Sequence, residues 1–578
     1  MKNTMNYYEV RHMETLKELI SQGDSLYGGN TAFLVKDEKG RKYREITYKQ
    51  FKNDIDALGT KLLNIGLKDA KIAIIGENCY QWMVAYFAVV NGVGVVVPLD
   101  KELNQEEIHN LIKTADCQAV FFTENFAGYF KGEPIQYKIE MTAYENSFSP
   151  SPDLVQWKDL VKEGYLLIEQ EDLSFINAEV DPFEMKMLLF TSGTTDIAKG
   201  VMLCHNNIMA NILDTSSIVN IKQTDRTLSI LPIHHTFEST MGTGVLLYGG
   251  GSIAFCEGLK HIAKNMAEAE ATVLVGVPLI FESIYDKIWK QAEKTGKASA
   301  LRKAIKINKT MKSFGIDMSR VLFKSIYKKF GGKLRMLVTG AAAINPNVCR
   351  GFEDLGIKVL QGYGLTECSP LVSGAPDFSD TYKKAGSVGI AVKSGIIQIV
   401  DKDDDQIGEI LFSGPNVMLG YYNLPEKTEE VLKDGWFHTG DLGFLDDEGW
   451  LYITGRKKNV IVTKTGKNIY PEEVEYYVNS NKYIQESLVH AIENDNEDTL
   501  VGVQVRPDYD VIYEEFGENV DDGQIQALIK KAISEINERL PIYKRIRNIS
   551  VRKDEFIKTT TKKIKRFQNI YEQKIKGE

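Results

Sequence analysis

Several features that would mark a special class of protein are missing from this sequence. Its six cysteines (Cys79, Cys117, Cys204, Cys256, Cys349 and Cys368) lie far apart among 578 residues, with no CxxC pair. Neither a structural zinc nor a disulfide framework is expected, and a reducing compartment suits the chain. There is no basic surplus: 70 Lys+Arg against 79 Asp+Glu give a net charge of -9, which argues against a general nucleic-acid binder. The opening MKNTMNYYEV has no apolar core of the signal-peptide kind. Nor is any apolar run unbroken. Trp82–Leu99, WMVAYFAVVNGVGVVVPL, is interrupted by Asn91, Gly92, Gly94 and Pro98. It reads as a buried helix to about Val90, a glycine turn and a strand over Val95–Leu99, not as a membrane span.

Familiar catalytic signatures are absent too. GxSxG fails at Phe190, no HExxH accompanies His234-His235, and there is neither a Walker A loop nor a complete GxGxxG with a following acid. Adjacent side chains such as those of His234 and His235 are expected to diverge, which favours a pocket or gating role for His235 over metal binding. His205, His261 and His438 read as structural or surface residues.

What is present is a globular composition, 43% hydrophobic and 26% charged. At roughly 150 residues per domain the length corresponds to about four modules, or fewer large ones. Strand-like runs begin at Lys71, Gln118, Lys186, Thr272 and Lys333, and alternate with amphipathic patterns such as Phe51, Ile55, Leu58, Leu62 and Ile65. Such alternation predicts parallel sheets covered by helices, an α/β fold. From Gly386 the texture changes to short β segments and tight turns, with Asp447-Glu448-Gly449 as a hairpin turn. After GRKKN (Gly455–Asn459), Pro471 opens a helix, and Ile525, Leu528, Ile529, Ile533, Ile536 and Leu540 define another. The expected organisation is a body over 1–454 with a β-rich subdomain over about 386–454. A linker over 455–460 and a small α+β domain over 461–578 follow. The final stretch, Pro541–Glu578, is strongly basic.

Three segments suggest chemistry. In LLFTSGTTDIAKGVML (Leu188–Leu203) a strand runs into Thr191-Ser192-Gly193-Thr194-Thr195, with Lys199-Gly200 just beyond. Small residues let backbone N–H groups turn inward around a polyphosphate, hydroxyls add donors, and the lysine adds a cation; the plainer reading is a Thr-rich surface loop. QGYGLTECS (Gln361–Ser369) offers an aromatic face at Tyr363 and oxygen ligands at Thr366 and Glu367 of the kind a hard cation takes; loop residues of these types are more often structural. GWFHTGDLG (Gly435–Gly443) places Asp441 between glycines, where it can accept two hydrogen bonds from a ribose diol or cap a turn.

In this order the three segments resemble those of the adenylate-forming (AMP-binding) superfamily. LPIHHTFE (from Leu231), VTGAAAIN (from Val338) and GEILFSGPNVMLGYYNLPEKT (from Gly408) extend the likeness, as do GRKKNVI, TGKNIYPEEVE, LPIY and TTTKKIKR further on. Together they cover nearly the whole chain from about Thr47. The HHTFE form and the KKIKR ending are most similar to long-chain fatty acyl-CoA synthetases.

The resemblance implies activation of a fatty acid with ATP and Mg²⁺ to an acyl-adenylate, then transfer to coenzyme A. Thr191, Ser192, Gly193, Thr194, Thr195 and Lys199 would cradle the phosphates. Gly340, Ala341, Gln361, Gly362, Tyr363, Gly364 and Leu365 would border adenine and the acyl carboxylate, with Tyr363 stacked on the base. Thr366 would touch the α-phosphate, Glu367 would hold Mg²⁺, Asp441 would bind the ribose and Arg456 would assist beside it. Lys563 aligns with the family's adenylation lysine. Gly466 falls in the loop that would complete the pantetheine tunnel once the C-terminal lid has rotated about the 455–460 hinge. Two departures stand out: Asp196 in the phosphate loop, where glycine is usual, and Asn459 at the hinge, where an acid is common.

Alternatives are a ligase that loads a carrier-protein thiol and a catalytically weak nucleotide-binding homologue. Met241–Phe255 reads equally as the lining of an acyl tunnel or as plain sheet core. A cytoplasmic protein with weak peripheral attraction to membranes through its basic end is expected, with no lipid anchor.

Overall fold

The computed structural model describes residues 6–37, 42–141, 154–191, 198–463, 467–493, 499–558 and 564–570. The chain divides into two compact units. One comprises residues 1–396 and 413–435, the other 397–412 and 436–578.

The first unit is built on two large sheets. In the nine-stranded one, six strands run parallel at the centre: Lys358–Gly364, Met336–Thr339, Val273–Gly276, Arg226–Ser229, Ser252–Phe255 and Thr31–Lys36. Leu371–Gly374, Ile390–Ala391 and Tyr43–Thr47 are antiparallel additions at the edges. The eight-stranded sheet repeats this plan. Met185–Thr191, Gly94–Pro98, Ala70–Ile75, Ala119–Thr123, Tyr137–Met141 and Val155–Gln156 are parallel. Lys199–Cys204 and Gly420–Tyr421 add to it antiparallel. The expected parallel sheets are thus parallel inside and antiparallel at their margins, because a short return loop can only join antiparallel neighbours.

The run Trp82–Leu99 resolves as expected: helix Tyr80–Ala88, a π-turn over Val89–Val93 and strand Gly94–Pro98. Gly92 has φ 154° in that turn, and a methyl there would stand 3.0 Å from the Ala178 Cβ. The amphipathic pattern from Phe51 becomes helix Tyr48–Asn64, with Phe51, Ile55, Leu58 and Leu62 buried. No helix among the described residues is long and apolar enough to cross a membrane. None of the cysteines forms a disulfide.

In the second unit Gly408–Ser413, Trp436–Leu445 and Leu451–Arg456 form successive antiparallel pairs. The Asp446 carboxylate accepts the N–H groups of Glu448 and Trp450 (3.0 and 2.9 Å) and so closes the expected hairpin turn. A three-stranded sheet follows, of Ile484–Glu493, Thr499–Pro507 and Ile546–Val551. Helices Pro471–Asn479 and Asp522–Asn537 pack on it through Val474, Val478, Ile529 and Ile533. Pro471 occupies the first helical turn. Leu540, aligned in sequence with this second helix, lies beyond its end yet is buried in the same core.

Candidate active site

Open α/β sheets bind ligands beyond the carboxyl ends of their strands. Met336–Thr339 and Lys358–Gly364 lie side by side with Thr339 opposite Gln361, so Gly340-Ala341 leave the sheet beside Gln361 and Gly362, where the neighbouring strand runs on to pair with Leu371–Gly374. A methyl at Gly340 would stand 3.3 Å from the Gly362 carbonyl oxygen. Ala341 has φ 69°, a left-handed conformation that costs a residue with a Cβ roughly 1–2 kcal/mol and tends to gather at ligand-holding turns. The Gln361 side chain accepts the Gly386 N–H (3.3 Å), and Tyr363 is half-buried opposite Ser373.

Thr366 and Glu367 open a short 3₁₀ turn, Thr366–Cys368. Two buried asparagines fix it. Asn416 donates to the carbonyls of Cys368 and Leu371, both at 2.8 Å. Asn211 accepts the Leu371 N–H (2.6 Å) and donates back to the same two carbonyls.

Glu367 Oε1 accepts the Tyr421 hydroxyl at 2.9 Å, and the Lys199 ammonium sits 4.6 Å from the centre of the Tyr421 ring. Tyr421 therefore joins Lys199, at the start of strand Lys199–Cys204, to the carboxylate of the second segment. Burial, then the Glu367 charge, push the Tyr421 hydroxyl far above its ordinary pKa, keeping it a donor. Glu367 presents its other oxygen without a hydrogen bond among the described residues. An anionic oxygen of this kind is a ligand that a hard divalent cation favours.

Thr191 ends strand Met185–Thr191, and its hydroxyl lies 3.4 Å from the Lys199 carbonyl across the hairpin. Ser192, Gly193, Thr194, Thr195 and Asp196 lie outside the described residues, as do Gly466 and Lys563. The described residues on either side of Lys563 are well anchored. Lys558 and Ile564 form a β-bridge. Arg566 binds the half-buried Glu475 at 2.5 Å, and the Asn569 side-chain Oδ1 accepts the Ile557 N–H at 3.0 Å.

Within the second unit Asp441 faces Arg456 across paired strands, with Oδ1 2.8 Å from the guanidinium Nε. Asp441 is only 4% exposed, so the ion pair holds its carboxylate in one orientation. In the expected linker, Asn459 donates to Glu472 Oε1 at 2.7 Å. An acid there would set two carboxylates against each other, which accounts for the departure.

One expectation needs revision. His234 and His235 do not diverge: their ring centres are 4.1 Å apart. In Met241–Phe255, read equally as tunnel lining or core, Met241, Val245, Leu246, Leu247, Ile253 and Ala254 are all buried. His205 is structural as expected, its ring bridging the Leu16 N–H and the Val90 carbonyl at 2.9 Å each. Sequence reading did not single out Tyr421, Asn416 or Asn211. The first two sit in the Gly408–Thr428 motif, whereas Asn211 carries no local signal on helix His205–Ile218.

The model of the family described as "AMP-binding enzyme" matches residues 26–422. The chain belongs to the AMP-binding enzyme family. Long-chain-fatty-acid–CoA ligase 5 of Rattus norvegicus is 31% identical over 525 residues, 84% of this chain and 75% of that one. The long-chain-fatty-acid–CoA ligase of Salmonella typhimurium is 26% identical over 82% of each chain. Among solved structures, ATP-bound MatB from Rhodopseudomonas palustris superposes with a TM-score of 0.74 at 22% identity, over 97% of this AMP-binding chain and 99% of its own. That likeness concerns the fold.

Proposed function

We propose that this AMP-binding enzyme is an AMP-forming acyl-CoA synthetase for fatty acids, long-chain ones by its relatives. The supporting observation is the Lys199–Tyr421–Glu367 arrangement, in a chain whose curated relatives match over most of its length. A carboxylate acylates poorly because its oxygen is a bad leaving group. Attack on the α-phosphorus of ATP gives an acyl-adenylate and pyrophosphate, and AMP then departs when the CoA thiol attacks.

The first step brings carboxylate and triphosphate together, so positioning and cationic stabilisation carry the catalysis. Thr191–Thr195 and Lys199 hold the phosphates. Glu367 ligates Mg²⁺, whose charge offsets that of the phosphates, and Thr366 meets the α-phosphate. Gly340, Ala341 and Gln361–Leu365 line the base and the acyl carboxylate. Asp441, steadied by Arg456, takes the ribose hydroxyls. Residues 461–578 act as a lid hinged at 455–460. The lid first delivers Lys563 between carboxylate and α-phosphate, then presents the Gly466 loop to the pantetheine arm. The protein works in the cytoplasm, with weak attraction to membrane surfaces through its basic end.

Incubation with ATP, Mg²⁺, CoA and fatty acids of graded length is expected to yield acyl-CoA and AMP, most with long chains. A holo carrier protein offered in parallel tests the acceptor. Thioester formed on the carrier alone would reassign the enzyme to carrier loading, and absence of pyrophosphate release with every acid would overturn the activity.

A further inference from the structure

Asp100, His234 and His235 lie outside every role assigned above, apart from the pocket role expected of His235. Their ligand atoms all fall within 4.8 Å of one another. The arrangement has a local cause. Asp100 follows strand Gly94–Pro98 of one sheet, and the histidines occupy a turn after strand Arg226–Ser229 of the other. Neighbouring side chains point apart in a strand but can converge in a turn, and here the His235 N–H closes on the Pro232 carbonyl at 3.1 Å. Asp100 Oδ1 is held by the Glu102 N–H at 2.9 Å, while Oδ2 stands 3.7 Å from His234 Nε2. The His234 side chain is 9% exposed, and its Nε2 has no hydrogen-bond partner. A buried ring nitrogen in that condition is a cost to the fold unless something occupies it.

We propose that Asp100, His234 and His235 bind a divalent ion of the zinc, cobalt and nickel class, separate from the magnesium that accompanies ATP. Two imidazoles and a carboxylate are the donor set such borderline ions favour, whereas magnesium takes oxygen almost alone. Ligands about 2 Å from a tetrahedral ion stand roughly 3.3 Å apart, so the 3.7 Å between His234 Nε2 and Asp100 Oδ2 needs little closure. Three protein ligands leave a fourth position for water. The nearby Lys101 ammonium opposes a cation, but it is paired with Glu77. The same turn leads into Phe237, whose ring would lie 3.2 Å from a methyl at Gly340, so a bound ion would brace a wall of the nucleotide site.

The test is titration of chelator-treated, full-length protein with Co²⁺, followed by its visible d–d absorption, and with Zn²⁺ against a chromophoric chelator. One equivalent is expected to bind, and Asp100→Asn and His234→Gln are each expected to weaken binding more than about tenfold, as loss of a direct ligand should. Circular dichroism checks folding, and if one variant misfolds the other decides. Absence of saturable binding, equal affinity in the folded variants, or a sulfur-to-cobalt charge-transfer band placing the ion on a cysteine would each overturn the assignment.

Discussion

Glu238 carries its carboxyl into the core from the π-helical segment Phe237–Gly244 and is 1% exposed. Neither of its oxygens has a well-formed hydrogen bond among the described residues. Burial pushes this carboxyl up to about 8, only partly offset by the nearby Ser229 hydroxyl and Leu231 amide. An unfolded glutamate ionises near 4.5, so between those values the folded chain holds a proton that the unfolded chain has released. The contribution to stability is full below about pH 4.5 and is lost as pH rises towards 8. Glu238→Gln removes the titration. It is expected to stabilise the protein near pH 7 by on the order of 1–3 kcal/mol, with the difference shrinking towards pH 5. Thermal melts across that range check it, and a difference that does not vary with pH would count against the buried acid.

A second residue-scale expectation concerns Asp441, whose orientation Arg456 fixes. Hydrogen bonds to a charged group contribute about 1.5–3 kcal/mol. Asp441→Asn should therefore raise the KM for ATP by roughly ten- to a hundredfold, with much less effect on the KM for CoA. Steady-state kinetics with each substrate varied in turn separates the two.

Among the elements, the Gln361–Leu371 segment shows why a motif and its physical reason can part company. Glycines in such a segment are ordinarily taken to free the backbone. At Gly364 the close approach is to the chain itself: a methyl there would lie 1.9 Å from the Pro370 carbonyl oxygen. Gly364→Ala must push backbone against backbone. It is expected to cost about 1–3 kcal/mol or more and to displace the turn that carries Thr366 and Glu367. Urea denaturation and pyrophosphate exchange should both report the loss; full exchange activity in Gly364→Ala would show that the turn tolerates the shift. The strands and helices themselves were legible, because a period of two or 3.6 in apolar residues survives in any context that buries one face. The convergence of His234 with His235 was not legible, because it depends on a turn whose geometry no hydrophobic period encodes.

For the molecule as a whole, the proposed lid leads to a separation of the two half-reactions. Lys563→Ala is expected to slow adenylate formation by orders of magnitude, as loss of a transition-state cation does. Thioester formation from supplied acyl-adenylate should be largely retained. Single-turnover assays of each step decide this, and equal loss in both would mean that the lysine is misassigned. The flanking Arg566–Glu475 and Lys558–Glu486 pairs, each at 2.5 Å, tie part of the basic C-terminal stretch into the second unit. That stretch is therefore not wholly a solvated tail.

The sequence alone determined the α/β class, the strands that lead into each motif and the family, because these rest on local periodicity and on residue types in a fixed order. Only the tertiary structure decided that Tyr421 joins Lys199 to Glu367, that Asn211 and Asn416 clamp the turn Thr366–Cys368, and that Asp100 meets two histidines. Each of these contacts joins residues distant in the chain. Such contacts are set by how sheets and loops pack, and that geometry leaves no pattern in the stretch of sequence around any one partner.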